Sequence, residues 1–113
     1  MAERLGVGLV GSGFVARFHI RSWVGLRDAD IVAICSTNAA TAREAADLAR
    51  ELGVGDPAIY TDPAAMARDP RVGAIWITAP NHVRIPVVEA IVDQVRSGRA
   101  PQLVGLCCEK PLA

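Results

Sequence analysis

Hydrophobic positions along the chain follow two alternating rhythms. Short continuous apolar runs read as buried strands, and they are separated by longer stretches with apolar residues every three or four positions, which read as helices. Residues 5–10 form the first run, closed by Gly11, and residues 14–26 follow with Ala16, His19, Ile20 and Trp23 at helical spacing. A polar turn, Arg27-Asp28-Ala29-Asp30, leads into a second strand over 31–35. Residues 39–52 make a helix with Ala42, Ala45, Ala46 and Ala49 on one small-residue face, and Gly53 stands where a helix C-cap belongs. A weak third strand is expected over 58–61, then Asp62-Pro63 as N-cap and first residue of a short helix ending near Asp69. The fourth strand runs 73–78, broken by Pro80. A helix over 86–97 carries the stripe Val88, Ile91, Val92 and Val95 and closes at Gly98, and a fifth strand covers 103–108. Helices between short strands require crossovers, and crossovers join parallel strands into one sheet with helices on both faces.

Composition agrees with this reading. The 113 residues are one domain's worth, 51% hydrophobic and only 4% aromatic, the palette of buried parallel strands under alanine-rich helices. Twelve basic and twelve acidic residues cancel without a basic stripe, so nucleic acid and anionic membrane are not expected partners. The run from Leu5 to Ala16 imitates a signal-peptide core, but Glu3 offsets Arg4 and glycines interrupt it, so a cytoplasmic chain is expected. No segment has the roughly 18 apolar residues of a membrane span. Cys35, Cys107 and Cys108 lack metal-site spacing and read as buried thiols; no metal site is expected.

Gly11-Ser12-Gly13-Phe14-Val15-Ala16 fits the G-x-G-x-x-G/A dinucleotide fingerprint, in its required place between a strand and a helix. Gly11 takes the tight turn, Gly13 admits a pyrophosphate close to the backbone, and Ala16 lets the helix pack near the sheet. Free N–H groups from Gly13, Phe14 and Val15 then face the phosphates. The fold expected is therefore α/β, a Rossmann-type doubly wound parallel sheet of strand order 3-2-1-4-5. The acidic residue that usually takes the ribose 2′-hydroxyl about twenty positions later is missing; Ser36-Thr37-Asn38 stands there instead. Hydroxyls and an amide can donate to a 2′-phosphate that a carboxylate would repel, and Arg43 can add charge, so NADP is read as favoured over NAD, with Ser36 and Thr37 as the contacts. The same residues also suit N-capping of the second helix.

Three stretches together resemble the glucose-fructose oxidoreductase/inositol dehydrogenase/rhizopine-catabolism (Gfo/Idh/MocA) family: the glycine turn, Thr78-Ala79-Pro80-Asn81-His82, and Cys108-Glu109-Lys110-Pro111-Leu112-Ala113. The last is the most specific, and the three cover the whole chain in the family's order. The resemblance implies an NAD(P)-dependent dehydrogenase acting on a sugar, cyclitol or related polyol. It implies that Ala79, Pro80 and Asn81 line the path from adenosine to nicotinamide, that Glu109 bonds near the nicotinamide ribose, and that Pro111 fixes the turn. Lys110 is implied as the catalytic residue on the substrate hydroxyl; a lysine beside a cationic nicotinamide has a lowered pKa and can exchange protons near neutrality.

Family members often carry a second histidine where this chain has Arg84, and they bring a later Asp and His from a C-terminal α/β substrate domain. That domain is expected to be missing from this chain, so the 113 residues should bind cofactor weakly and turn over nothing, because positioning worth about 7–11 kcal/mol is lost. A homo-oligomer is compatible with the resemblance. Rival readings are a non-catalytic NAD(P)-sensing or partner-binding module and an S-adenosylmethionine-dependent methyltransferase, the latter disfavoured by the missing carboxylate after the second strand. His19, Trp23 and Trp76 read as packing residues, and Arg43-Glu44 and Arg50-Glu51 as solvated helix surface.

Overall fold

The computed structural model describes residues 4–11, 13–25, 28–78 and 81–108, with the main chain alone for Phe14, Val15, Asn81 and His82. Five strands, β1 (Leu5–Val10), β2 (Ala29–Cys35), β3 (Ala58–Tyr60), β4 (Ala74–Ile77) and β5 (Gly105–Cys108), alternate with helices α1 (Phe14–Ser22), α2 (Ala39–Leu52), α3 (Pro63–Ala67) and α4 (Asn81–Arg96). The strands form one sheet in the order β3-β2-β1-β4-β5, every neighbour parallel, as the alternation of repeats requires.

Helices α1 and α2 cover one face, where Ile20, Trp23 and the four alanines Ala42, Ala45, Ala46 and Ala49 pack on Val7, Leu9, Ile31 and Ile34. Alanine at each contact lets α2 lie close to the strands. The other face carries Val10, Ala33, Cys35, Ile75 and Ile77 under Met66, Ala67 and Ile91 of α3 and α4. Ile31 and Ile34 share a face although three apart, because the β1–β2 register shifts between Val7 and Gly8; an extra residue in β2 resets the alternation of its side chains.

Several boundaries differ from those the pattern predicts. Strand β2 starts at Ala29, inside the polar segment: Leu5 N–H donates to the Asp28 carbonyl, and Arg4 pairs with Asp30 at 2.8 Å, so the polar residues begin the strand at the sheet's wet end. Helix α1 stops at Ser22 and tightens into a 3₁₀ turn, Trp23–Gly25, which seats Trp23 in the core with its Nε1–H donating to the Ala29 carbonyl at 3.1 Å. Helix α4 starts at Asn81, leaving Pro86 more than a turn inside rather than at its head; of the expected stripe Ile91 is 1% exposed but Val95 is 47% exposed, and Val83 and Val87 join Val88 on the apolar side. Strand β5 begins at Gly105: Leu103 N–H closes a turn onto the Ala100 carbonyl, and Val104 N–H crosses to the Gly73 carbonyl just ahead of the first β4–β5 pair.

Of the cysteines, only Cys35 is buried; Cys107 is exposed and Cys108 half-buried. Cys107 is paired in register with Trp76, on the part of the α1–α2 face that those helices leave open, which also explains why Trp76 is half-buried rather than fully enclosed.

A polar knot near the β3–α3 side fixes the remaining chain. Buried Asp69 accepts from Tyr60 Oη at 2.7 Å, from the Arg71 main-chain N–H at 2.9 Å, and from the Arg71 guanidinium. Burial pushes the Asp69 carboxyl upwards, but the donors together outweigh it and hold it below the ordinary carboxylate value. Among the described residues no helix is long and apolar enough to cross a membrane.

Candidate functional site

The carboxyl ends of the central strands are tied together at one level. Gly11 N–H donates to the Cys35 carbonyl at 2.7 Å, Ser36 N–H to the Tyr60 carbonyl at 3.0 Å, and Thr78 N–H to the Val10 carbonyl at 2.8 Å. The chain leaves β1, β2 and β4 directly past these bonds, so the loops carrying the fingerprint, Ser36-Thr37 and the start of α4 all spring from one edge. Strand order reverses between β1 and β4, and the crevice at such a switch point is where open α/β sheets take ligands.

Gly11 has φ 114°, a conformation that L side chains rarely adopt, so the turn itself demands glycine there. Gly13 is different. It N-caps α1 with φ −84°, a value open to any residue, and a Cβ built on it would meet nothing within 4 Å. Neither its torsion nor its packing requires a glycine; a glycine there leaves room for a group approaching from outside. The first intrahelical bond of α1 runs from Arg17 N–H to the Gly13 carbonyl at 3.0 Å, so the N–H groups of Phe14, Val15 and Ala16 have no acceptor within the helix. Gly13 offers no side-chain cap, and the first turn carries no acidic residue. Ala16, 1% exposed, brings the helix close to the sheet. These residues fit a pyrophosphate.

After β2 the arrangement closes on itself. Ser36 Oγ accepts from Asn38 N–H at 3.2 Å, and Asn38 Oδ1 caps α2 by accepting from Ala40 and Thr41 N–H at 3.0 and 3.3 Å. The capping role open to Asn38 in the sequence is thus the one it takes. Thr37 and Arg43 stand exposed, and Ser36 is half-buried. Glu44 of α2 is engaged by Arg17 of α1, which links the two helices over the core. Burial first, and the negative charge of Asp62 second, push the Cys35 thiol up to about 11, so this cysteine at the crevice edge is protonated and unreactive at neutral pH. His19 lies against Trp76 with ring centroids 4.7 Å apart and the rings tilted by 46°.

The structure therefore brings together Gly11, Gly13, the α1 N-terminus, Ser36, Thr37 and the main chain of Asn81. Ser12, Ala79, Pro80, Glu109 and Lys110 lie outside the described residues, as do the side chains of Phe14, Val15 and Asn81. Cys108 pairs with Ile77, so β5 ends at the same edge as β4. One participant escaped the sequence reading: the Thr78 hydroxyl also donates to the Val10 carbonyl, at 2.9 Å. Thr78 opens one of the three stretches that carry the family resemblance, but nothing in the sequence marked its hydroxyl's partner. Among the described residues no group of three or more His, Cys, Asp or Glu is placed to hold a metal ion.

A glycine turn running into an open helix N-terminus, at the switch point of a 3-2-1-4-5 parallel sheet, defines a Rossmann-type dinucleotide-binding domain. The chain belongs to the Gfo/Idh/MocA oxidoreductase family, described as having an NAD-binding Rossmann fold, whose sequence pattern it matches over residues 5–113. It is 29% identical over 113 residues to D-apiose dehydrogenase of Paraburkholderia graminis, covering 98% of this chain and 26% of that protein. Among solved structures it resembles an NAD binding oxidoreductase from Klebsiella pneumoniae, with TM-score 0.70, 27% identity, and coverage of 99% of this chain and 28% of that one. It shares the fold of myo-inositol dehydrogenase from Lactobacillus casei, solved with NAD(H) and myo-inositol, with TM-score 0.77, 23% identity, and coverage of 97% and 29%. The chain thus spans between a quarter and a third of the length of these relatives.

Proposed function

We propose that this chain is the nucleotide-binding part of an NAD(P)-dependent dehydrogenase that transfers hydride between a nicotinamide cofactor and a sugar, cyclitol or related polyol. The observation that carries the cofactor half of this reading is the start of α1, where an uncapped helix follows a glycine whose missing side chain leaves open space. Family membership and the D-apiose and myo-inositol dehydrogenases among its relatives support the substrate class. The relatives' greater length supports a second, substrate-binding α/β domain beyond the 113 residues, with turnover depending on both.

In this reading Gly11, Ser12 and Gly13, with the N–H groups of Phe14 and Val15, hold the pyrophosphate by main-chain donation and the helix dipole. Ser36 and Thr37 take the adenosine ribose. Ala79, Pro80 and Asn81 line the way to the nicotinamide, and Glu109 bonds near its ribose. The bound cofactor supplies the hydride acceptor or donor. Lys110 contacts the substrate hydroxyl and exchanges its proton, keeping charge balanced as hydride moves.

The finer preference is for NADP over NAD. The hydroxyls of Ser36 and Thr37 replace a carboxylate that would repel a 2′-phosphate, and exposed Arg43 adds positive charge; Asn38, occupied as a helix cap, contributes to folding instead. Calorimetric titration with NADPH, NADH and S-adenosylmethionine tests the reading. Nucleotide binding with NADPH the tighter is expected. Binding of S-adenosylmethionine in place of both nucleotides would overturn the reading, and tighter NADH would overturn the preference alone. Polyol-dependent reduction of NAD(P) by the protein purified from its own host, lost in Lys110→Ala, tests the catalytic half.

A further inference from the structure

We infer that Thr78 is a positioning residue that locks the two nucleotide-binding loops to each other. The inference rests on the cofactor reading above. The Val10 carbonyl accepts two hydrogen bonds from this one residue, from its N–H at 2.8 Å and from its hydroxyl at 2.9 Å, which fills both lone pairs of that oxygen. Val10 is the last residue of β1. The peptide it shares with Gly11 is held on its other side by Gly11 N–H donating to the Cys35 carbonyl. The root of the glycine turn is thus pinned from β2 and from the end of β4 at once.

Thr78 is also the residue from which the chain enters Ala79-Pro80-Asn81, the segment read as the path to the nicotinamide. It follows directly on the last β1–β4 pair, Val10↔Ile77, so its side chain is the first beyond the sheet able to tie one loop to the other. The main-chain bond already satisfies the Val10 carbonyl, and a valine would fill the same half-buried space. The hydroxyl is therefore surplus to folding. What it adds is a second bond from the same residue to the same oxygen, which stiffens the tie between the roots of two loops that a dinucleotide touches together in the reading above. Holding the two roots firmly together beforehand lowers the ordering cost of binding a ligand that spans the loops. A ligand touching only the glycine turn gains nothing from that lock.

The test compares a spanning ligand with its adenosine half. Affinities are measured for NADPH or NADH, whichever the wild type binds more tightly, and for the matching half, 2′-phospho-ADP or ADP, in Thr78→Val and Thr78→Ser; Thr78→Ala gives the same readout should valine disturb the fold. In Thr78→Val the dinucleotide should weaken about fivefold, the scale of one net hydrogen bond. The half-ligand should stay within about twofold and the thermal midpoint should hold, while Thr78→Ser restores dinucleotide affinity. Equal weakening of both ligands, or no change in either, overturns the inference and leaves the cofactor reading standing. A wild type that binds neither dinucleotide overturns both.

Discussion

Two helices begin at the same edge of the same sheet and treat their first turns in opposite ways. Helix α2 starts at Asn38, whose side chain accepts from two of the orphan N–H groups, and α3 does likewise with Asp62 accepting from Ala64 N–H at 3.0 Å. Helix α1 starts at Gly13, which has no side chain to offer. Each helix carries the same obligation, since the leading N–H groups of any helix lack internal partners. Where the protein meets that obligation itself, the helix is a structural element. Where no described residue caps the donors and a Cβ would meet open space, the helix start suits an anion, as the reading proposed above has it. The difference lies in one residue per helix, Asn38 against Gly13, and it separates scaffold from site more sharply than any pocket volume.

The largest effect should come from giving α1 a side chain at the contrasting position. In Gly13→Ala the new Cβ enters open space at an unstrained φ of −84°, so stability should change by less than about 1 kcal/mol. The methyl group would occupy the approach to the α1 donors and weaken dinucleotide binding by about 100-fold, the scale of losing a charged hydrogen bond or two. Isothermal titration beside thermal melts checks this; unchanged affinity in a folded variant would break the contrast drawn between the two helices. Gly11→Ala should divide the other way. There the φ of 114° makes any side chain costly, and about 1–3 kcal/mol of stability should be lost, visible in urea denaturation without any ligand present.

These two glycines also mark how far the sequence could be read. The strand–helix alternation, the parallel sheet and its order were legible because buried strands and amphipathic helices carry different repeats, and because right-handed crossovers leave few topologies. Boundaries were harder wherever a residue's type and its place disagreed. Asp30 looks like a turn residue yet lies in β2, paired with Arg4. Pro86 looks like a helix start yet lies five residues after the first residue of α4, and Val95 of the expected apolar stripe falls on the exposed side. In the site, spacing revealed the fingerprint and gave Gly11 the tight turn and Gly13 the close approach, but it could not supply the torsions that make Gly11 obligatory and leave Gly13 open to any residue. Nor could it choose between ligand contact and helix cap for Asn38, because the same amide serves both and only coordinates show where its oxygen is bonded. The Thr78 hydroxyl was invisible for a related reason: its partner is a main-chain carbonyl 68 residues away, and main-chain acceptors leave no mark in sequence.

The smallest expected effect sharpens the contrast from the α2 side. Asn38→Ala removes both cap bonds and should cost about 1 kcal/mol of stability, whereas Asn38→Gly, which keeps a favourable N-cap backbone, should cost only a few tenths. Dinucleotide affinity should stay within about twofold in both, because the donors that Asn38 covers are spoken for in the free protein. Denaturant midpoints and titrations on the pair decide the matter. Were Asn38→Gly instead to bind the nucleotide more tightly than the wild type, the α2 donors would be recruitable once uncovered, and the cap would be competing with the ligand rather than finishing the scaffold. A stable, unchanged binder would mean that the sheet edge sets an anion-binding helix start at α1 beside the closed starts at α2 and α3, told apart by the N-cap residue of each.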